Sequence, residues 1–116
     1  MLDSDASAFA GEWITLTRDL LQDEEGIYAL QVSGESMIDA LVNDGDIVIM
    51  KRPTEVRDGD MVAAWLRNEQ ETTLKRVYRE GERVRLQPAN PIMAPIYTPA
   101  SNMEIQGKVV LVVREL

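Results

Sequence analysis

The chain has 116 residues, 45% of them apolar, which suits one domain with a real core. It holds neither cysteine nor histidine, which excludes disulfides, thiol catalysis, a Ser-His-Asp triad and any Cys- or His-based metal site. Its net charge of −8 repels phosphate backbones, so nucleic-acid binding by this chain alone is not expected, and solubility is the ordinary meaning of the charge. Met1 to Ala10 carries no basic residue and reads as a tail rather than a signal peptide. No apolar run approaches the ~18 residues of a membrane span. A cytoplasmic location is expected, with residues 11–116 as the domain.

In chain order the expected elements are mostly short strands. Glu12 to Thr17 alternates, and Asp19 to Gln22 is long enough for one helical turn. Ile27 to Val32 is apolar and partly β-branched. Ser36 to Val42 fits a short helix with Ser36 near its start. Ile47 to Met50 follows an Asp44-Gly45-Asp46 turn, and Met61 to Leu66 follows a second turn, Arg57-Asp58-Gly59-Asp60. Arg67 to Gln70 links that strand to Glu71 to Arg79, and Glu80-Gly81-Glu82 makes a hairpin to Arg83 to Gln87. Pro88 to Pro99 holds Pro88, Pro91, Pro95 and Pro99 and reads as an extended crossing segment. Lys108 to Val113, introduced by Gly107, is a final strand. The expected fold class is mostly β: compact, twisted antiparallel sheets with one short helix.

Without histidine, hydrolysis would need a carboxylate, a lysine or the N-terminus as base. Ser36 follows an apolar strand and a glycine, a setting that exposes a hydroxyl and leaves nearby backbone N–H groups of Ser36 and Met37 for an oxyanion. A serine there is also an ordinary helix N-cap. Lys75 lies mid-strand, where a lysine usually meets solvent. Buried among Met37, Leu74 and Val77, it would lose its proton readily and serve Ser36 as general base. Asp44, Asp46, Asp58 and Asp60 do not have calcium-loop spacing and fit β-turns better.

Taken in order, Ser33-Gly34-Glu35-Ser36-Met37-Ile38-Asp39, Asp44-Gly45-Asp46, Val56-Arg57-Asp58-Gly59 and Thr73-Leu74-Lys75-Arg76-Val77 resemble LexA-type repressors. Leu86 to Pro91 and Ile105 to Val109 extend the likeness, which covers most of Ile27 to Val113. The same domain occurs in phage repressors and UmuD proteins. The resemblance implies a self-cleaving protease domain in which Ser36 is the nucleophile and Lys75, buried and neutral, the base. It implies cleavage at an Ala-Gly bond, stimulated by a RecA filament, relieving repression of the SOS response to DNA damage. It implies a homodimer joined largely through Lys108 to Val113, and no metal or cofactor. Operator DNA would be bound only through a helix-turn-helix domain, which this chain lacks. Ala10-Gly11 copies the family's Ala-Gly-Glu sequence and is the candidate scissile bond within the chain; the other reading places that bond upstream. Other functional readings are a UmuD-like or phage-repressor-like autoprotease, a signal-peptidase-like protease without its anchor, and a non-catalytic dimerisation module.

Overall fold

A computed structural model describes residues 26–52 and 55–114. The expected strand at Glu12 to Thr17, the turn at Asp19 to Gln22 and the Ala10-Gly11 bond lie outside the described residues. Seven strands run β1 (Ile27–Gln31), β2 (Ile47–Lys51), β3 (Met61–Leu66), β4 (Glu71–Glu80), β5 (Arg83–Gln87), β6 (Ile96–Pro99) and β7 (Met103–Val113). Single 3-10 turns occupy Ile38–Ala40 and Ala100–Asn102. The strands form one sheet, in the order β1-β2-β7-β3-β4-β5-β6. Every neighbouring pair is antiparallel. The mostly-β expectation holds, with helix confined among the described residues to those two turns.

Side-chain alternation builds the core. Val62, Ala64 and Leu66 on β3, Val77 on β4, and Val84 and Leu86 on β5 recur at every second residue and form one buried cluster. Fully burying a side chain such as Leu66 or Leu86 contributes roughly 1.5–3 kcal/mol. β2 shows no alternation because both of its faces are covered. Val48 and Met50 join Met37, Val42 and Ala63 in a second cluster, while Ile47 and Ile49 join Ala29 in a third. This is why Ile47 to Met50 reads as a continuous apolar run.

β7 organises the sheet. Its first half, Met103 to Lys108, pairs with β3, and its second half, Lys108 to Val113, pairs with β2. Register shifts at Ile49/Met50 and at Ala63/Ala64 accompany the change of partner. Gly107 sits at this crossing. A Cβ there would lie 2.7 Å from Tyr28 Oη and 2.9 Å from the Met50 Cβ, so only glycine fits. The final strand therefore begins at Met103 rather than at Lys108, and Gly107 lies inside it.

The proline-rich segment is only partly a crossing. Residues 88–95 carry no strand, but Ile96–Pro99 pairs with β5 as the edge strand β6. Prolines at 95 and 99 border that strand, where a missing N–H is tolerated. Just past this strand, Asn102 accepts the Asn68 N–H through its Oδ1 at 2.9 Å, and its Nδ2 donates to Thr98 Oγ1 at 3.0 Å. This pins the β3–β4 turn against the start of β7.

Candidate active site

Beyond β1 the chain turns back on itself. The Val32 N–H donates to the Asp46 carbonyl at 2.7 Å, and the Gly45 N–H to the Val32 carbonyl at 2.8 Å. Gly34 has φ +93°, a conformation that favours glycine, and its N–H donates to Asp44 Oδ1 at 2.8 Å. Ser36 follows, partly exposed. Met37 is the anchor that holds it in place: only 1% exposed, it fills the cluster with Val42 and Val48.

The expected helix over Ser36 to Val42 is reduced to the 3-10 turn at Ile38–Ala40. The Asp39 N–H donates to the Ala89 carbonyl at 2.7 Å instead of to an intrahelical carbonyl. Leu41, at φ 63°, then ends the turn in the left-handed region. A tertiary hydrogen bond has displaced a local one.

Lys75 comes from β4, opposite Val62 on β3, with Thr73 opposite Ala64. Two residues apart on a strand, Thr73 and Lys75 share a face. Lys75 is 7% exposed. Its Nζ lies 3.0 Å from Ser36 Oγ and 2.5 Å from Thr73 Oγ1, although Ser36 and Lys75 are 39 residues apart in sequence. Burial holds the ammonium below its ordinary value of 10.5, with the Glu71 carboxylate pulling weakly the other way. Both residues border a cleft of about 260 Å³, whose walls include Leu30, Val32, Met37, Ala63 and Leu74. A hydroxyl and a desolvated amine thus meet at the edge of an apolar cleft, with no carboxylate in direct hydrogen-bond contact with either among the described residues.

Thr73 is a member of this group that sequence reading passed over. The signal was its spacing of two from Lys75 on a strand. The four turn aspartates accept backbone N–H groups, Asp44 that of Gly34 in the serine turn. Asp46 accepts the Asn43 N–H at 2.8 Å, Asp60 the Arg57 N–H at 2.9 Å, and Asp58 the Arg79 N–H at 2.9 Å. Gly45 and Gly59 supply the positive φ, 89° and 93°. Asp46 is also clamped by Arg114, which donates through Nε at 2.9 Å and Nη2 at 2.7 Å and reaches the Leu41 carbonyl at 3.1 Å. That guanidinium, with the Asn43 N–H, holds the Asp46 carboxyl below the usual carboxylate range against the effect of its burial.

No helix among the described residues is long and apolar enough to cross a membrane. The chain is 51% identical to a LexA repressor of Herpetosiphon aurantiacus over 114 residues, 98% of this chain and 51% of the relative. It is 49% identical to a LexA repressor of Roseiflexus sp., covering 97% of this chain and 52% of that relative. Against a LexA repressor of Koribacter versatilis the identity is 52% over 77% of this chain and 42% of the relative. The chain spans about half the length of the first two of these relatives. The family pattern described as Peptidase S24-like matches residues 3–110, a span that includes the serine turn, the lysine strand and most of β7. With that match added to the mostly-β sheet and the paired Ser36 and Lys75, the chain belongs to the Peptidase S24-like family.

Proposed function

We propose that this chain is the self-cleaving serine endopeptidase domain of a LexA-type repressor, with Ser36 as nucleophile and Lys75 as general base. The observation that carries the reading is the 3.0 Å separation of Lys75 Nζ from Ser36 Oγ at a site where the amine is buried. A neutral amine has one lone pair and two N–H groups. Thr73 Oγ1 accepts one N–H, which leaves the lone pair to accept the Ser36 hydroxyl proton. Ser36 Oγ then attacks the carbonyl carbon of an Ala-Gly bond in its own chain. The ammonium returns the proton to the departing amine, and water releases the acyl group by the same exchange. The Ser36 and Met37 N–H groups are the candidate oxyanion donors; among the described residues neither has an acceptor.

In the whole protein this cleavage, stimulated by a RecA filament, would separate an operator-binding helix-turn-helix domain from the dimerising domain and relieve the SOS genes in the cytoplasm. The reading is supported by the LexA repressors named above, at about half identity. Self-association would use Lys108 to Val113. Beyond Lys108 the edge of β7 that faced β3 has no strand partner among the described residues. Val110 and Val112 are exposed there.

The test is self-cleavage of the full-length protein across pH. The rate should climb with pH as Lys75 loses its proton. Ser36→Ala, Lys75→Ala and Lys75→Arg should each lower it by roughly 10⁴-fold, since guanidinium stays charged and no histidine can substitute. Cleavage by Lys75→Ala at the wild-type rate would end the dyad reading.

A further inference from the structure

The segment after β5 lies across the outside of the serine turn and holds it at several points. The Asn90 Nδ2 donates to the Glu35 carbonyl at 2.9 Å. The other end of the same amide, Oδ1, accepts the Ile92 N–H at 3.2 Å. Because a backbone N–H can only donate, that contact fixes which end of the amide faces Glu35. Next to it, the Ala89 carbonyl accepts the Asp39 N–H at 2.7 Å, and the Ala89 N–H meets Met37 Sδ at 3.4 Å. Pro88 is buried, and Pro88 and Pro91 bracket the segment with fixed φ. The strap is stiff, and its contacts converge on residues 35 to 39.

The Glu35 carbonyl and the Ser36 N–H belong to one peptide unit. That unit is planar and trans; the described residues contain no cis bond. In a trans amide the C=O and the N–H point in opposite directions. Holding the Glu35 oxygen toward Asn90, with the Ile38 N–H also donating to it at 3.3 Å, therefore holds the Ser36 N–H away from the strap. No described residue accepts that N–H. An unclaimed donor on the nucleophile's own backbone, with its direction set by a side chain 55 residues beyond Glu35, is a preorganised arrangement.

We propose that Asn90 is a positioning residue: by holding the Glu35 carbonyl outward, it aims the Ser36 N–H at the oxygen that becomes negative when Ser36 attacks. This rests on Ser36 being the nucleophile. A neutral, solvent-exposed hydrogen bond adds little to the stability of a fold. A donor already pointed at a developing oxyanion accelerates reaction by about 10²–10³-fold. Asn90 should therefore matter little to folding and much to rate.

The test uses diisopropyl fluorophosphate, which needs no scissile bond in the chain. Ser36 Oγ bonds to phosphorus, the P–F bond breaks, fluoride leaves with the electron pair, and the hydroxyl proton passes to Lys75. The phosphoryl oxygen gains charge in that step. Labelling of Ser36 is followed by mass spectrometry across pH, and the alkaline plateau is compared, where Lys75 is neutral in every variant. Asn90→Asp keeps the acceptor for Ile92 and loses the donor to Glu35. Its plateau rate should fall at least 10-fold while its urea midpoint stays near that of the wild type. Asn90→Ala should lower the plateau similarly without moving the pH midpoint. A plateau for Asn90→Asp within twofold of wild type would overturn the proposal, as would a rate that falls only in step with the folded fraction. Failure of the dyad itself looks different: the wild type would not label, or Lys75→Ala would label equally fast.

Discussion

As the proposed base, Lys75 is buried and basic at once, and the two demands leave a trace in stability. Burial disfavours its ammonium in the folded chain. Between the lowered folded value and the ordinary 10.5, the unfolded chain binds more protons than the folded one, so stability rises with pH across that window. Below it the cost is carried in full. Lys75→Met should therefore be more stable than wild type at pH 7, and its advantage should shrink as pH approaches 10.5; urea midpoints at the two pH values check this. Glu71 raises the lysine's proton affinity from an exposed position. Glu71→Gln should accordingly shift the pH–rate midpoint of Ser36 labelling downward, and an upward shift would contradict the sign. At this scale the sequence was only partly legible. Each of Ser36 and Lys75 has a bland reading, as an N-cap and as a solvent-facing strand lysine, and it is the ordered motifs that single them out. Their 3.0 Å contact depends on the folding of two separate hairpins. Thr73 and Asn90 were missed because a threonine in a strand and an asparagine between prolines are what propensity alone would place there.

The strands were most legible where turn chemistry brackets an alternating run. β3 and β5 have the bounds expected from sequence, and β1, β2 and β4 differ by a residue. Reading failed where a rule of thumb met a tertiary demand. Prolines at 95 and 99 concealed β6, although an edge strand tolerates them. Gly107 looked like the residue before a strand, yet it is the point where β7 passes Tyr28 and Met50 too closely for any Cβ. Gly107→Ala should cost about 1–3 kcal/mol through overpacking, read as a lower urea midpoint. Tyr28→Phe removes the nearest atom, the Oη at 2.7 Å. The double variant should therefore lose less than the two single losses combined, because the sites share a contact. Additive losses would show that the backbone had moved instead.

At the scale of the whole molecule, the edge of β7 beyond Lys108, without a strand partner among the described residues, and the exposed Val110 and Val112 suit antiparallel addition of a second copy. Val110→Asp should raise the dimer dissociation constant by 10-fold or more in sedimentation equilibrium, while circular dichroism stays dominated by strand. The Arg114 clamp on Asp46 joins the end of this strand to the turn beneath Ser36. The depressed Asp46 carboxyl contributes stability that is present above its ordinary value of 3.8 and is lost as pH falls through the folded value. Asp46→Asn should thus unfold at lower urea than wild type at pH 7, with the gap closing in acid. The order of the sheet has a last consequence, in time rather than in space. Ser36 hangs from β1 and β2, Lys75 stands on β4 beside β3, and the strand that joins these halves is the last of the seven among the described residues. A nascent chain leaving the ribosome therefore carries Ser36 and Lys75 on two sets of strands that no ladder of backbone hydrogen bonds joins until β7 has emerged. The late position of β7 thus delays the meeting of the Ser36 hydroxyl and the Lys75 amine until the two halves of the sheet are joined.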